Sequence, residues 1–82
     1  MQREDIKNLV RLILVKVLKH ENFEMNDAVT ATEVDGWDSL THMVIISEIE
    51  EKLNIQFKLK ELNKLRNMGT LIDLIESKVS VE

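Results

Sequence analysis

The chain has 82 residues with two Gly, no Pro and no Cys, and 44% of its residues are hydrophobic against 32% charged. This length predicts one small domain over residues 1–82 and excludes a multi-domain enzyme, while the scarcity of Gly and Pro favours an all-α fold. The absence of cysteine excludes disulfide bridges and thiolate metal sites, so helix packing must stabilise the core.

Charge and hydropathy along the chain narrow the classes of partner. The net charge of −4 argues against nucleic acid as a binding partner, because proteins bind nucleic acid mainly by neutralising its phosphates. The most apolar stretch, residues 9–18, is interrupted by Arg11 and Lys16, so we expect no membrane span and a cytoplasmic protein. Residues 20–38 carry −6 and residues 54–69 carry +3. We expect the acidic segment to attract basic partners.

The first predicted helix runs from about Glu4 to about His20. Its apolar residues recur at helical spacing on one face: Ile6, Leu9, Val10, Ile13, Leu14, Val17 and Leu18. Leu12 and Val15 widen this face, and we interpret them as additional core, with contact to a partner as the alternative.

Residues 21–38 are polar, acidic and weakly periodic, and they predict a long ordered loop. The expected anchors of this loop in the core are Phe23, Met25, Val29 and Val34. A loop of this length in a small domain is typical of a functional segment.

The second predicted helix begins after Asp38, whose carboxylate can cap the amide of Leu40 or Thr41, and ends at about Leu53 or Asn54. Its predicted core face consists of Met43, Ile46, Ile49 or Glu50, and Leu53. A second face, next to Ser39, consists of Leu40, Val44, Ser47 and Glu51. We expect two apolar side chains of this second face near solvent.

The remaining segment predicts a loop and two helices. Residues 55–59 alternate in polarity, but a single strand has nothing to pair with, so an apolar-anchored loop is favoured. A short basic helix follows over residues 60–66, anchored by Leu62 and Leu65. Residues 67–69 predict a stop with a left-handed C-cap.

Thr70 is expected to cap the last helix, which ends near Val79 or Ser80. Its apolar face consists of Leu71, Ile72, Leu74, Ile75 and Val79. The predicted architecture is therefore a four-helix bundle with a long first loop and a short third helix.

The run Asp-Gly-Trp-Asp-Ser-Leu over residues 35–40 places Ser39 in the first turn of the second helix. Unpartnered amides and the helix dipole favour an anion there, so we expect an electrostatically favourable site for a phosphodiester on Ser39. The run and the order of helices resemble the acyl carrier proteins over nearly the whole chain. In that family the serine of the Asp-Ser-Leu motif bears covalent 4′-phosphopantetheine, which comes from coenzyme A.

The resemblance implies a monomeric, non-catalytic carrier whose arm on Ser39 holds acyl or aminoacyl groups as thioesters. The implied partners are a phosphopantetheinyl transferase, a loading ligase and downstream acyl-processing enzymes. Partner recognition is expected at Asp38, Leu40, Val44, Glu48 and Glu51. Partial core burial of Leu40, and an ordinary solvated face at Glu48 and Glu51, are the alternatives.

Departures from the family pattern favour a specialised pathway over housekeeping fatty acid synthesis. Asp35 stands where carriers of fatty acid synthesis usually have an apolar residue, and Thr41, His42 and Val44 stand where they have more acid. The third helix is basic instead of acidic. The form Gly-Trp-Asp-Ser-Leu-x-His resembles discrete carriers that often act beside an adenylating ligase.

Two other functions fit parts of the sequence. A small helical adaptor without a prosthetic group would use the exposed Leu40 and Val44 and the widened apolar face of the first helix. Asp38, Ser39 and His42 imitate the members of a hydrolase triad, but neighbouring positions on one exposed helix turn provide neither a shielded base nor an oxyanion hole. We expect His42 to face the arm or a partner, or to form a local hydrogen bond.

Overall fold

The computed structural model describes residues 2–79, which form four α-helices and one 3₁₀ turn. The helices are α1 (Arg3–Leu18), α2 (Ser39–Leu53), α3 (Leu59–Leu62) and α4 (Met68–Val79), and the turn is Ala31–Glu33. No strand occurs in residues 2–79, which confirms the all-α bundle and its short third helix. The predicted loop over residues 55–59 is confirmed for residues 55–58 only, because Leu59 is the first residue of α3. None of these helices is long and apolar enough to cross a membrane.

The core lies where α1 packs against α2 and α4. The buried side chains of the helices are Ile6, Val10, Ile13, Leu14, Ile45, Ile46, Ile49, Met68, Leu71, Ile72 and Ile75. Each such side chain stabilises the fold by about 1.5–3 kcal/mol relative to an exposed one. The long loop adds the buried Val29 and Val34, while Phe23 and Met25 pack against the core edge, which confirms the four predicted anchors.

Helix α1 differs from its prediction at its end and at one apolar position. It ends at Leu18, not His20, because Lys19 adopts a left-handed conformation (φ 64°) and its amide bonds the Val15 carbonyl at 2.9 Å. Leu12 is 64% exposed, so its interpretation as core is wrong. It precedes the buried Leu14 by two residues, which places it on roughly the opposite side of the helix.

Helix α2 presents a different core face from the predicted one. Met43 was expected in the core but is 56% exposed, and Ile45, absent from the predicted face, is fully buried. Ile46 and Ile49 are buried as predicted. The stripe that meets α1 therefore starts at Ile45, and Met43, two residues earlier, projects from another side.

The segment before α4 corrects the predicted helix boundaries. Helix α3 is one turn long, shorter than the predicted residues 60–66, although Leu62 and Leu65 pack on the core as expected. The predicted stop at residues 67–69 is wrong, because α4 begins at Met68.

Asn67, not Thr70, caps α4. The Asn67 Oδ1 accepts the Thr70 amide at 2.9 Å, and the Thr70 hydroxyl accepts the Asn67 amide at 3.0 Å. Thr70 thus completes a reciprocal cap from the third position of the helix. Of the predicted apolar face of α4, Leu71, Ile72 and Ile75 are buried and Val79 packs against the core. Leu74 is half-buried and lines a surface hollow beside Lys64, and Ser80 lies outside the described residues.

The long loop is hydrogen-bonded to the start of α4. The Met68 amide donates to the Val29 carbonyl at 2.7 Å, and the Gly69 amide donates to the Asp27 carbonyl at 2.9 Å. A Cβ at position 69 would lie 2.9 Å from the Asp27 Cβ and 3.1 Å from the Asp27 oxygen. Glycine is therefore required here by the close approach of the loop backbone.

Gly69→Ala tests this contact. The contact predicts that the substitution lowers stability, whereas helix propensity alone predicts that it raises stability. Alanine in place of glycine inside a helix normally stabilises by about 1 kcal/mol, whereas crowding of a packed site costs about 1–3 kcal/mol. We expect a net decrease in the free energy of unfolding in urea, followed by circular dichroism. Ser77→Ala, at an exposed position of the same helix, should change stability by less than about 0.5 kcal/mol. An unchanged or more stable Gly69→Ala variant would contradict the contact.

Candidate functional site

Ser39 is the first residue of α2, and its side chain is exposed. Its hydroxyl forms no hydrogen bond within residues 2–79. The chain reaches this position through a turn in which Gly36 has φ 85°, a left-handed conformation that glycine adopts at little steric cost. The result is a free hydroxyl at the start of a rigid helix.

Asp38 caps α2 as predicted. Its Oδ1 accepts the amides of Leu40 at 3.0 Å and of Thr41 at 2.9 Å. The Thr41 hydroxyl accepts the Asp38 amide at 2.8 Å and donates to the Gly36 carbonyl at 2.6 Å. The Thr41 amide, then the Thr41 hydroxyl and the Leu40 amide, hold the pKa of the Asp38 carboxyl below its ordinary value.

The same cap bears on the expected anion site at the start of α2. The Leu40 and Thr41 amides are both bonded to the Asp38 carboxylate, which already complements the helix dipole. A phosphodiester on Ser39 would therefore meet a neighbouring negative charge, and two of the amides expected to favour it are already bonded. The electrostatic preference for a phosphate stays a prediction, and the structure shows the exposure of Ser39.

Trp37 and His42 form a pair beside the serine. The Trp37 Nε1–H donates to the His42 Nδ1 at 3.1 Å, and the two rings stack with their centroids 6.2 Å apart. Partial burial lowers the pKa of His42, so the neutral ring is favoured. His42 engages Trp37 and Asp38 engages backbone amides, so the three members of the imitated triad are not brought together.

A small cavity of about 60 Å³ lies behind this pair. Trp37 and His42 line it on one side, and Leu65 and Arg66 line it on another. Val29, Ala31, Asn67, Met68 and Leu71 complete the wall. The cavity shows that the segment after α3 lies against the motif, at the same end of the bundle as Ser39.

The face of α2 beside Ser39 is apolar and open to solvent. Leu40 is 78% exposed and Val44 is 46% exposed, as expected for the second face, and partial core burial of Leu40 is wrong. Together with Met43 they line a shallow groove that continues to Glu48 and Glu51. The sequence pattern assigned Met43 to the core and so missed its place on this surface.

The two acidic residues of this face differ in their partners. The Glu48 Oε1 bonds the Lys16 Nζ at 2.6 Å, and this bond lowers the pKa of Glu48. Glu51 is exposed. Glu48 therefore links α2 to α1, whereas the Glu51 carboxylate projects from the groove.

A second histidine, His20, holds the turn at the start of the motif in place. The Asn22 amide donates to the His20 Nδ1 at 3.0 Å, and the His20 Nε2 lies 2.6 Å from the Asp35 carbonyl. Because a carbonyl can only accept, the Nε2 carries the proton and donates. His20 thus ties the end of α1 to the turn that leads to Ser39.

The chain is similar to a solved structure, the holo acyl carrier protein from Geobacter metallireducens determined by solution NMR. The two are 33% identical with a TM-score of 0.84, and the match covers 92% of this chain and 86% of that chain. No family model matches the chain, and no curated protein matches it.

The hydrogen bond between Trp37 and His42 predicts a pH-dependent signal from the single tryptophan. Protonation of the His42 Nδ1 removes the acceptor of this hydrogen bond, so Trp37 fluorescence should change with pH. The midpoint of the change should lie below pH 6.5, because 6.5 is the ordinary pKa of histidine and that of His42 is lowered. Because the unfolded chain binds this proton more readily, stability should decrease as the pH falls below about 6.5. His42→Gln should abolish the fluorescence step, and His20→Gln should retain it. A midpoint at or above 6.5 would contradict the desolvated geometry.

Proposed function

The chain belongs to the acyl carrier protein family, and on that basis we propose that Ser39 bears 4′-phosphopantetheine. The observation that carries the proposal is the exposed Ser39 hydroxyl, without a hydrogen bond in residues 2–79, at the start of a capped helix. A transferase needs a nucleophile that is accessible and held in a constant position. When attached, the arm supplies a thiol that holds acyl or aminoacyl groups as thioesters.

The residues around Ser39 fit this role because they hold the serine in a fixed and exposed position. The bonds between Asp38 and Thr41 fix the first turn of α2, and Gly36 gives the chain its change of direction. No deep cavity encloses the serine, and the exposed surface leaves room for a transferase active site. The arm then extends into solvent, where partner enzymes can reach its thiol.

We propose that the chain itself is not catalytic. Hydrolysis would need His42 as a base for Ser39, yet the His42 Nδ1 accepts from Trp37. It would also need Asp38 to orient the histidine, yet the carboxylate accepts two backbone amides. These bonds support a carrier without hydrolase activity. We also propose that this carrier acts as a monomer in the cytoplasm.

The face of α2 next to Ser39 supports docking of partner enzymes. Leu40 and Val44 provide apolar contacts, and Met43 extends this area. Asp38 and Glu51 supply exposed negative charge at its two ends. Glu48 contributes to the same groove while bonded to Lys16, so a partner that recruits it must compete with that bond. The partners are a phosphopantetheinyl transferase, a loading ligase and acyl-processing enzymes.

We propose a specialised pathway for this carrier. Asp35 is exposed at the turn, and Val44 presents an apolar surface on the second turn of α2. Thr41 has a structural explanation, because its hydroxyl completes the cap of α2. The surface that a partner meets therefore differs from that of carriers of fatty acid synthesis at Asp35, at Val44 and at the basic residues 58–66.

Intact-mass spectrometry tests the attachment site. After incubation with coenzyme A and a broad-specificity transferase, the wild-type chain should gain one phosphopantetheine, and Ser39→Ala should gain none. Ser47→Ala is the matched control, because Ser47 is also exposed on α2, two turns further along, and it should gain the full mass. An unmodified wild-type chain would contradict the carrier and favour the adaptor, whose exposed apolar groove needs no arm.

A further inference from the structure

Four cations surround α3, the shortest helix of the bundle. They are Lys58, Lys60, Lys64 and Arg66. All four are exposed, and none forms an ion pair within residues 2–79. The basic residues of α1 differ, since Arg3, Lys7, Arg11 and Lys16 each pair with a carboxylate. We call the four cations, together with Leu59 between them, the α3 basic surface.

The acidic groups near this surface bond groups other than its cationic side chains, although the Lys58 charge also helps to lower the pKa of Glu61. Glu61 is the only carboxylate in residues 54–69, and it bonds the Lys78 Nζ at 3.0 Å and the Lys58 amide at 2.7 Å. These bonds lower the pKa of Glu61, that to the Lys58 amide most of all. Asp73, which lines a hollow with Lys64, bonds Arg3 at 2.7 Å. The positive charge of the surface is therefore open to solvent.

This concentration of charge adds no ion pair to the fold within residues 2–79. Lys60 lies in α3, Lys58 directly precedes it, and Lys64 and Arg66 follow within four residues of its end, so that like charges lie close together along the chain and repel each other. Leu59, at the start of α3 between Lys58 and Lys60 in sequence, is 74% exposed. An exposed apolar side chain beside several charges of one sign is typical of a surface that meets a partner of opposite sign.

One end of the surface lies near Ser39. Arg66 and its neighbour Leu65 line the same small cavity as Trp37 and His42, which lie two residues before and three residues after Ser39. A partner whose active site reaches the arm on Ser39 therefore lies close to Arg66. The carboxylates at the end of the α2 groove and the α3 basic surface would then meet regions of opposite charge on that partner.

We propose that the α3 basic surface docks the enzyme that loads Ser39, through a carboxylate-rich area beside that enzyme's active-site entrance. The proposal rests on the carrier function and names the chemistry of the partner. The charge of the surface favours this partner, because four cations without ion pairs and one exposed apolar residue are complementary to an acidic protein surface with an apolar centre. Such a contact mainly affects the rate at which the carrier and the enzyme meet and the KM of the enzyme for the carrier. It weakens as ionic strength rises.

The test compares three proteins: the wild type, Lys60→Glu/Lys64→Glu, and the matched control Lys19→Glu/Lys52→Glu. Lys19 and Lys52 are also exposed and without ion pairs in the described part of the chain, but they lie outside the surface. Each protein is first converted to the holo form, and mass spectrometry verifies the conversion. Purified acyl- and aminoacyl-activating ligases of the source organism are then assayed with ATP and their acids.

For the ligase that loads the wild type, Lys60→Glu/Lys64→Glu should raise KM by about tenfold with kcat unchanged, and the control should stay within about twofold. The difference between the wild type and Lys60→Glu/Lys64→Glu should shrink in high salt. If the reversed variant melts early by circular dichroism, Lys60→Gln/Lys64→Gln replaces it, with an expected rise in KM of about threefold.

Equal KM values for the wild type and the surface variant would overturn the proposal, as would a holo protein that no ligase loads. Sedimentation of the wild type with phosphatidylglycerol vesicles, lost in Lys60→Glu/Lys64→Glu, would also overturn it and assign the surface to a membrane. A wild type that gains no arm would instead refute the carrier function, and the docking proposal with it.

Discussion

The reciprocal hydrogen bonds between Asp38 and Thr41 are the interaction on which the rest of the site depends. They fix the first turn of α2 at Ser39. In this helix Ile45 and Ile49, four residues apart, point into the core, while Leu40 and Val44, also four residues apart, point to solvent.

The long loop makes this arrangement possible because it is hydrogen-bonded in its middle and near its end. His20 binds the turn at Asp35, and the amides of Met68 and Gly69 bind carbonyls of the loop. Long irregular segments are tolerated in small domains when their backbone groups are bonded and their apolar residues are buried. Val29 and Val34 provide that burial. The loop thereby brings the start of α2 and the segment after α3 to one end of the bundle.

Part of this structure could be predicted from the sequence because its causes are local. Helical spacing identified α1, and the Asp-Ser-Leu motif placed Asp38 at the cap and Ser39 in the first turn. The face of α2 could not be resolved in this way, because residues 43–46 are four consecutive apolar residues and several stripes fit them. Packing against α1 selects Ile45 and leaves Met43 outside.

The start of α4 shows a second kind of ambiguity. Asn and Gly both end helices and Asn also begins them, so the run Asn67-Met68-Gly69 fits either boundary. The deciding contacts come from the distant loop, which approaches Gly69 too closely for any side chain. The bonds from Lys16 to Glu48 and from Trp37 to His42 likewise depend on packing and have no signature in sequence.

Ser39 is exposed at a helix start that the Asp38 carboxylate and the Thr41 hydroxyl hold in place. An NMR titration of the Leu40 and Thr41 amides with pH tests this most directly. If Asp38 caps the helix, both amide signals should move together with a midpoint below 3.8, the ordinary value for aspartate, as the carboxylate that they bond is protonated. Signals that do not titrate, or a midpoint at or above 3.8, would contradict the cap and the presentation of Ser39 that depends on it.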